Sequence, residues 1–169
     1  MSDTPTFSVY VRGEMLDGSV TGGVWVDLDH YETLSDFLGA VMRAANYAPV
    51  IFFTTYENAY GVEIPEYYSF VDIWDIYQEF QRIDADRREA FADYLALVGG
   101  VERLKYALET FDDAYEGRYE SLEDFAWEYA SEAYPQLFQL PPGFRAEVDL
   151  TAWEQDFWIS DNGHVFQIM

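Results

Sequence analysis

"YEGRYESLEDFAWEYASEAY", residues 115–134, decides how the chain is organised. With Ser121 as N-cap, it reads as a helix entered through a polar turn. Leu122, Phe125, Ala126, Tyr129, Ala130 and Ala133 then form one apolar stripe at helical spacing. Opposite that stripe, Asp124, Glu128 and Glu132 recur at i, i+4 and i+8, where like charges cost a helix roughly 0.2–0.5 kcal/mol per pair. Glu123 and Asp124 gain from the positive end of the helix dipole, but Glu128 and Glu132 lie too far along. The row opposes the helix that carries it and needs another explanation.

The arrangement recurs. Ser69 can cap "FVDIWDIYQEF", whose core candidates are Ile73, Trp74, Ile76, Tyr77 and Phe80, with Asp72, Asp75 and Glu79 on the other face. Glu109, Asp112, Asp113 and Glu116 follow at i, i+3, i+4 and i+7. A solvated face is the simplest reading of each row, and a salt-adapted surface would also be acidic and poor in lysine. Three unrelieved rows nevertheless exceed what solubility asks, because mixed charges serve it with fewer repulsive pairs.

Composition points the same way. The 169 residues carry 32 Asp plus Glu against 9 Lys plus Arg, a net charge of −23, while half the chain is hydrophobic and 19% aromatic. Such apolar content predicts a folded core rather than charge-driven disorder. A surface this acidic repels nucleic acid and anionic membranes and is drawn to cationic grooves. The charge is segmental: Ala44 to Gln81 holds six acids and no base, Ala146 onward five acids and no base, and Arg82 to Lys105 five of each sign.

The remaining patterns predict an α+β protein. "FSVYVR" (7–12) and "GVWVDL" (23–28) read as strands joined by a long Gly-rich connection, Thr33 with Asp36 opens a helix through about Asn46, and "VIFFTTY" (50–56) reads as a third strand. Asp84 or Asp86 can open a helix that stops at Gly99-Gly100, and "VERLKYALETFDDAY" follows as another. Past Pro135 and Pro141-Pro142-Gly143, "DLTAWEQD" suggests a short helix and "FWISDNGHVFQI" a hairpin around Asp161-Asn162-Gly163. The expected units are a small N-terminal α+β domain (1–64), a small helical bundle (65–107) and a C-terminal α+β domain (108–169).

Chemistry finds little footing. The chain contains no cysteine, which excludes disulfide and thiolate chemistry and fits a cytoplasmic protein. No long apolar run or secretory signal is evident. Asp27-Leu28-Asp29-His30 could suggest a metal cluster, but no second histidine-rich element completes it, and His164 reads as a lone structural or exposed histidine. Phosphate-binding Gly loops and a serine nucleophile elbow are missing. The expectation is a non-enzyme with no metal or other cofactor.

Gly117 to Ala126 (G-x-Y-x-S-L-E-D-F-A), the preceding "LVGGVERLKYALETFDDAY", the early "SVYVR" and "GGVWVDL" and the late "DFW" and "HVFQ" resemble, in matching order, the ArdA antirestriction family of DNA mimics. That resemblance implies an elongated protein, usually a homodimer, that inhibits Type I restriction-modification enzymes by occupying the DNA-binding groove of their modification and specificity subunits. It further implies that Tyr119, Leu122, Phe125 and Ala126 serve packing or dimer contact. Asp72, Asp75, Glu79, Glu109, Asp112, Asp113, Glu116, Glu120, Glu123, Asp124, Glu128 and Glu132 become the candidate phosphate mimics. An acidic adaptor or chaperone for basic DNA-binding proteins is the alternative with the same electrostatics.

Overall fold

Residues 6–168 are described by a computed structural model. In "SVYVRGE" the alternation makes β1 (Ser8–Glu14), with Val9, Val11 and Gly13 buried and Tyr10, Arg12 and Glu14 on the opposite face. Around it, β2 (Val20–Asp27) and β3 (Val50–Glu57) complete an antiparallel sheet of order β2-β1-β3. Gly22-Gly23, expected in the connection, instead lies inside β2 as a bulge: the register passes from Val11↔Val24 to Arg12↔Gly22, leaving Gly23 as the extra residue. Its φ of 103° and a hypothetical Cβ only 2.7 Å from the Tyr10 hydroxyl oxygen explain why glycine stands there.

One face of this sheet is covered by α1 (Leu34–Ala44), which buries Phe37, Ala40 and Val41. Thr33 caps it as expected, Oγ1 accepting from the Asp36 N–H at 3.1 Å. The helix stops short of Asn46, because Asn46 and Tyr47 turn the chain with φ of 52° and 55°.

Three helices follow: α2 (Phe70–Arg82), α3 (Arg88–Val98) and α4 (Leu104–Ala114). Ser69 and Asp72 form a reciprocal capping box, and α2 buries the five residues expected of it. Neither Asp84 nor Asp86 caps α3; a 3-10 turn, Ala85–Arg87, leads into it, and Arg87 occupies the cap position without a side-chain bond. At its other end Gly99, with φ of 129°, terminates α3 as read from the sequence.

Tyr115 does not open a polar turn. It begins β4 (Tyr115–Arg118), which pairs with β6 (His164–Gln167), itself paired with β5 (Phe157–Ile159), in a second antiparallel sheet of order β4-β6-β5. Tyr115 lies opposite Phe166 and stacks on Phe111 at 5.2 Å, so distant partners override the helical period here. The hairpin around Asp161–Gly163 and the short helix α6 (Leu150–Asp156) match expectation. Between β4 and α6 runs α5 (Leu122–Ala133).

Aromatic side chains knit these elements into a continuous core. Phe37 stacks on Trp74 at 5.2 Å, Phe80 meets Phe91 at 5.3 Å edge-on, and Phe91 meets Phe111 at 5.4 Å, carrying the core from the first sheet through α2–α4 to Phe166. A smaller cluster of Leu122, Phe125 and Val165, flanked by Tyr119, Trp153 and Phe157, seats α5 on the second sheet. The architecture is α+β.

Candidate functional site

On α5 the row forms as the spacing dictates. Ser121 has an extended backbone and its Oγ accepts from the Asp124 N–H at 3.1 Å, which fixes the helix start. Glu123, Asp124, Glu128 and Glu132 are exposed, as is Glu120 just before the cap. The opposite face is narrower than expected: Leu122, Phe125 and Ala126 are buried, but Tyr129 is 43% exposed and Ala133 is exposed as well. Trp127 is half-buried against Phe138 at 5.8 Å.

Tyr119 lies beneath this row, edge-on to Phe125 at 5.1 Å. Burial raises its hydroxyl pKa above the ordinary phenol range, and the charges of Glu128, Glu132 and Glu116 push it further. Glu116 thus contributes to the same negative field at Tyr119 as the α5 acids Glu128 and Glu132. Glu116 is on β4, not on the helical row of Glu109, Asp112 and Asp113, because α4 ends at Ala114.

The other carboxylates differ in how free they are. Asp75, Glu109 and Asp113 are exposed and unpaired among the described residues. Asp72 is exposed but one oxygen accepts from the Ser69 N–H at 2.9 Å. Glu79 meets Arg82 at 2.8 Å, and Asp112 meets Arg87 at 2.9 Å. Arg87 in turn lies over the Phe111 ring at 4.9 Å, which holds its charge beside α4. Exposed pairs of this kind are weak, so both acids remain available to a stronger cationic partner.

The two histidines have structural surroundings. His30 lies 3.7 Å from Asp27, while Asp29 accepts a hydrogen bond from the Tyr77 hydroxyl at 2.9 Å, tying the end of β2 to α2. His164 is buried, its Nε2 2.8 Å from Glu89 and its Nδ1 2.9 Å from the Tyr115 hydroxyl. Sequence reading had no signal for the Glu89 partner, which lies 75 positions away. Among the described residues no three Asp, Glu or His side chains gather into a metal site, and no helix is long and apolar enough to cross a membrane.

The acids thus stand on the outer sides of α2, α4 and α5, with Glu116 on β4 and Glu120 just before α5, a buried aromatic core lies behind them, and ten of the twelve candidates are exposed. A search of curated proteins gave no match. A family model described as "Antirestriction protein (ArdA)" matches residues 14–168. With nearly the whole chain covered, the protein belongs to the ArdA antirestriction family.

Proposed function

We propose that the chain inhibits Type I restriction-modification enzymes by presenting its carboxylates, as a homodimer, to the groove in which their modification and specificity subunits hold DNA. Membership of an antirestriction family makes restriction-modification enzymes the class of target. The observation that carries the finer reading is the set of acids on the outer sides of α2, α4 and α5, most of them exposed, with the α5 row kept at a cost to its own helix. Duplex DNA presents one negative charge per roughly 1.7 Å of axis, so a net −23 matches about 39 Å of duplex. Acids one helical turn apart, about 5.4 Å, are sparser than a phosphate strand, so rows from several helices act together.

The mechanism is charge substitution. Arg and Lys side chains that neutralise phosphates pair with Asp75, Glu109, Asp113, Glu120, Glu123, Asp124, Glu128 and Glu132 instead, and Asp72, Glu79, Asp112 and Glu116 add to the field. No bond is made or broken and no cofactor takes part. In this reading the three units at 1–64, 65–107 and 108–169 act as a scaffold that holds the rows in register.

Competition tests the proposal. The protein should displace duplex DNA from a purified Type I modification enzyme at near-stoichiometric ratio, with affinity falling as salt rises. Equal binding to unrelated cationic proteins would favour the acidic adaptor instead. Measured turnover of any substrate would contradict both.

A further inference from the structure

A cleft of about 440 Å³, within the size range of small-ligand sites, opens where α3, α4 and the end of β6 meet. Leu97 and Val98 from α3 and Ile168 just past β6 give it apolar walls. The wall at Ile168 is held in place, because its N–H donates to the Asp156 carbonyl at the end of α6 at 2.9 Å. Tyr106 adds an aromatic ring that is 44% exposed.

The polar groups of the cleft favour a hydrogen-bond donor. Thr110 gives its single hydroxyl proton to the Tyr106 carbonyl at 2.8 Å, so the Tyr94 hydroxyl donates to Thr110 Oγ1, also at 2.8 Å. The Tyr94 oxygen thereby keeps its lone pairs for another donor. Asp113 follows Thr110 by three residues on α4, exposed and without an ion pair among the described residues. No lysine or arginine lines the cleft among the described residues.

We infer that this cleft binds a guanidinium carried on an aliphatic stem. An anion would meet Asp113 and a net charge of −23. A neutral apolar molecule would touch the walls and leave the acceptors unused. A guanidinium offers several N–H donors in one plane, stacks on aromatic rings and is more weakly hydrated than an ammonium, so it loses less on entering apolar walls. The stem lies against Leu97, Val98 and Ile168 while the head reaches Asp113 and the Tyr94 oxygen. The Tyr106 ring already receives such a group: the Arg103 guanidinium lies over it at 4.7 Å without lining the cleft. The charge of Arg103 opposes a second cation nearby, which keeps the affinity modest.

The site does not rest on the inhibitory reading. Only Asp113 is common to the two, and charge substitution by the acid rows needs no cleft.

NMR titration of isotope-labelled protein with N-acetyl-arginine methylamide tests it, in about 0.5 M salt to screen the other carboxylates. The amides of Leu97, Val98, Asp113 and Ile168 should shift with a dissociation constant of about 1 mM. The neutral citrulline isostere and the corresponding lysine probe should bind at least about tenfold more weakly. Asp113→Asn should weaken the arginine probe about tenfold, whereas Glu109→Gln, which removes the same charge from α4 outside the cleft, should change it less than about twofold. Both positions are exposed, and the same spectra report whether each variant folds. Free arginine binding more tightly than the blocked probe supports the site and makes a free guanidine its ligand; the reverse order supports it with an arginine side chain of a protein. Absence of binding, equal binding of the citrulline or lysine probe, shifts spread over α2 and α5 instead of the cleft, or an Asp113→Asn no weaker than Glu109→Gln overturns the inference. No restriction enzyme is present in the titration, so any of these results leaves the inhibitory reading standing.

Discussion

Five tyrosines, Tyr60, Tyr68, Tyr77, Tyr115 and Tyr119, have hydroxyl pKa values raised above the ordinary value, each chiefly by burial. For Tyr77 the carboxylate of Asp29, which accepts a hydrogen bond from its hydroxyl at 2.9 Å, adds to the effect. Above about pH 10 an unfolded chain loses these protons while the folded one keeps them, so the folded state binds more protons and stability falls as pH rises. Below that pH the contribution is fully present. The measurement is tyrosinate absorbance: these residues should titrate later in the folded protein than in urea, and coincident curves would contradict the assignment. Such properties were only partly legible in the sequence. Tyr77 could be placed in the core from helical spacing, but Asp29 is 48 positions away and its contact is a product of the fold. His164 could be read as structural, yet Glu89 and Tyr115, which hold its ring, lie on other elements.

Local chemistry explains which elements could be read. Thr33, Ser69 and Ser121 each accept a bond from a backbone N–H three residues on, so the signal and its effect lie within one turn. Ser121→Ala should therefore cost about 1 kcal/mol and lower Tm by about 2–4 °C in a thermal melt. An unchanged Tm would mean that the second core cluster, not the cap, fixes the start of α5. The second sheet was less visible. β4 has four residues, and its partner β6 comes 46 positions after Arg118 at closest, so nothing near Tyr115 announced a strand and the helical period of the acids ran through it. The β2 bulge was hidden for a related reason: paired glycines suggest a turn, and the close approach of the Ala44 carbonyl to Gly22 and of the Tyr10 hydroxyl to Gly23 explains them inside a strand.

Across the whole molecule, the aromatic core and the acid rows make opposite contributions to stability. The core runs from Phe7 to Phe166 and tolerates helices that carry like charges on their outer sides. On α5 that cost has a specific source in the Asp124–Glu128 and Glu128–Glu132 pairs. Changing Glu128 and Glu132 to Gln removes both pairs while keeping Asp124 where the helix dipole favours it. The double variant should be more stable by about 0.4–1 kcal/mol, seen as a Tm rise of about 1–4 °C. Tyr119 should titrate earlier in it, since two of the charges that raise its pKa are gone. Inhibition of a Type I enzyme should weaken at the same time, and adding Asp124→Asn should weaken it further. A gain in stability together with a loss of inhibition is what surface acids retained for a partner produce; a solvated face kept for solubility gives the first without the second. If the stabilised variant inhibits as well as the wild type, α5 is not part of the contact surface, and the rows on α2 and α4 must carry the mimicry alone.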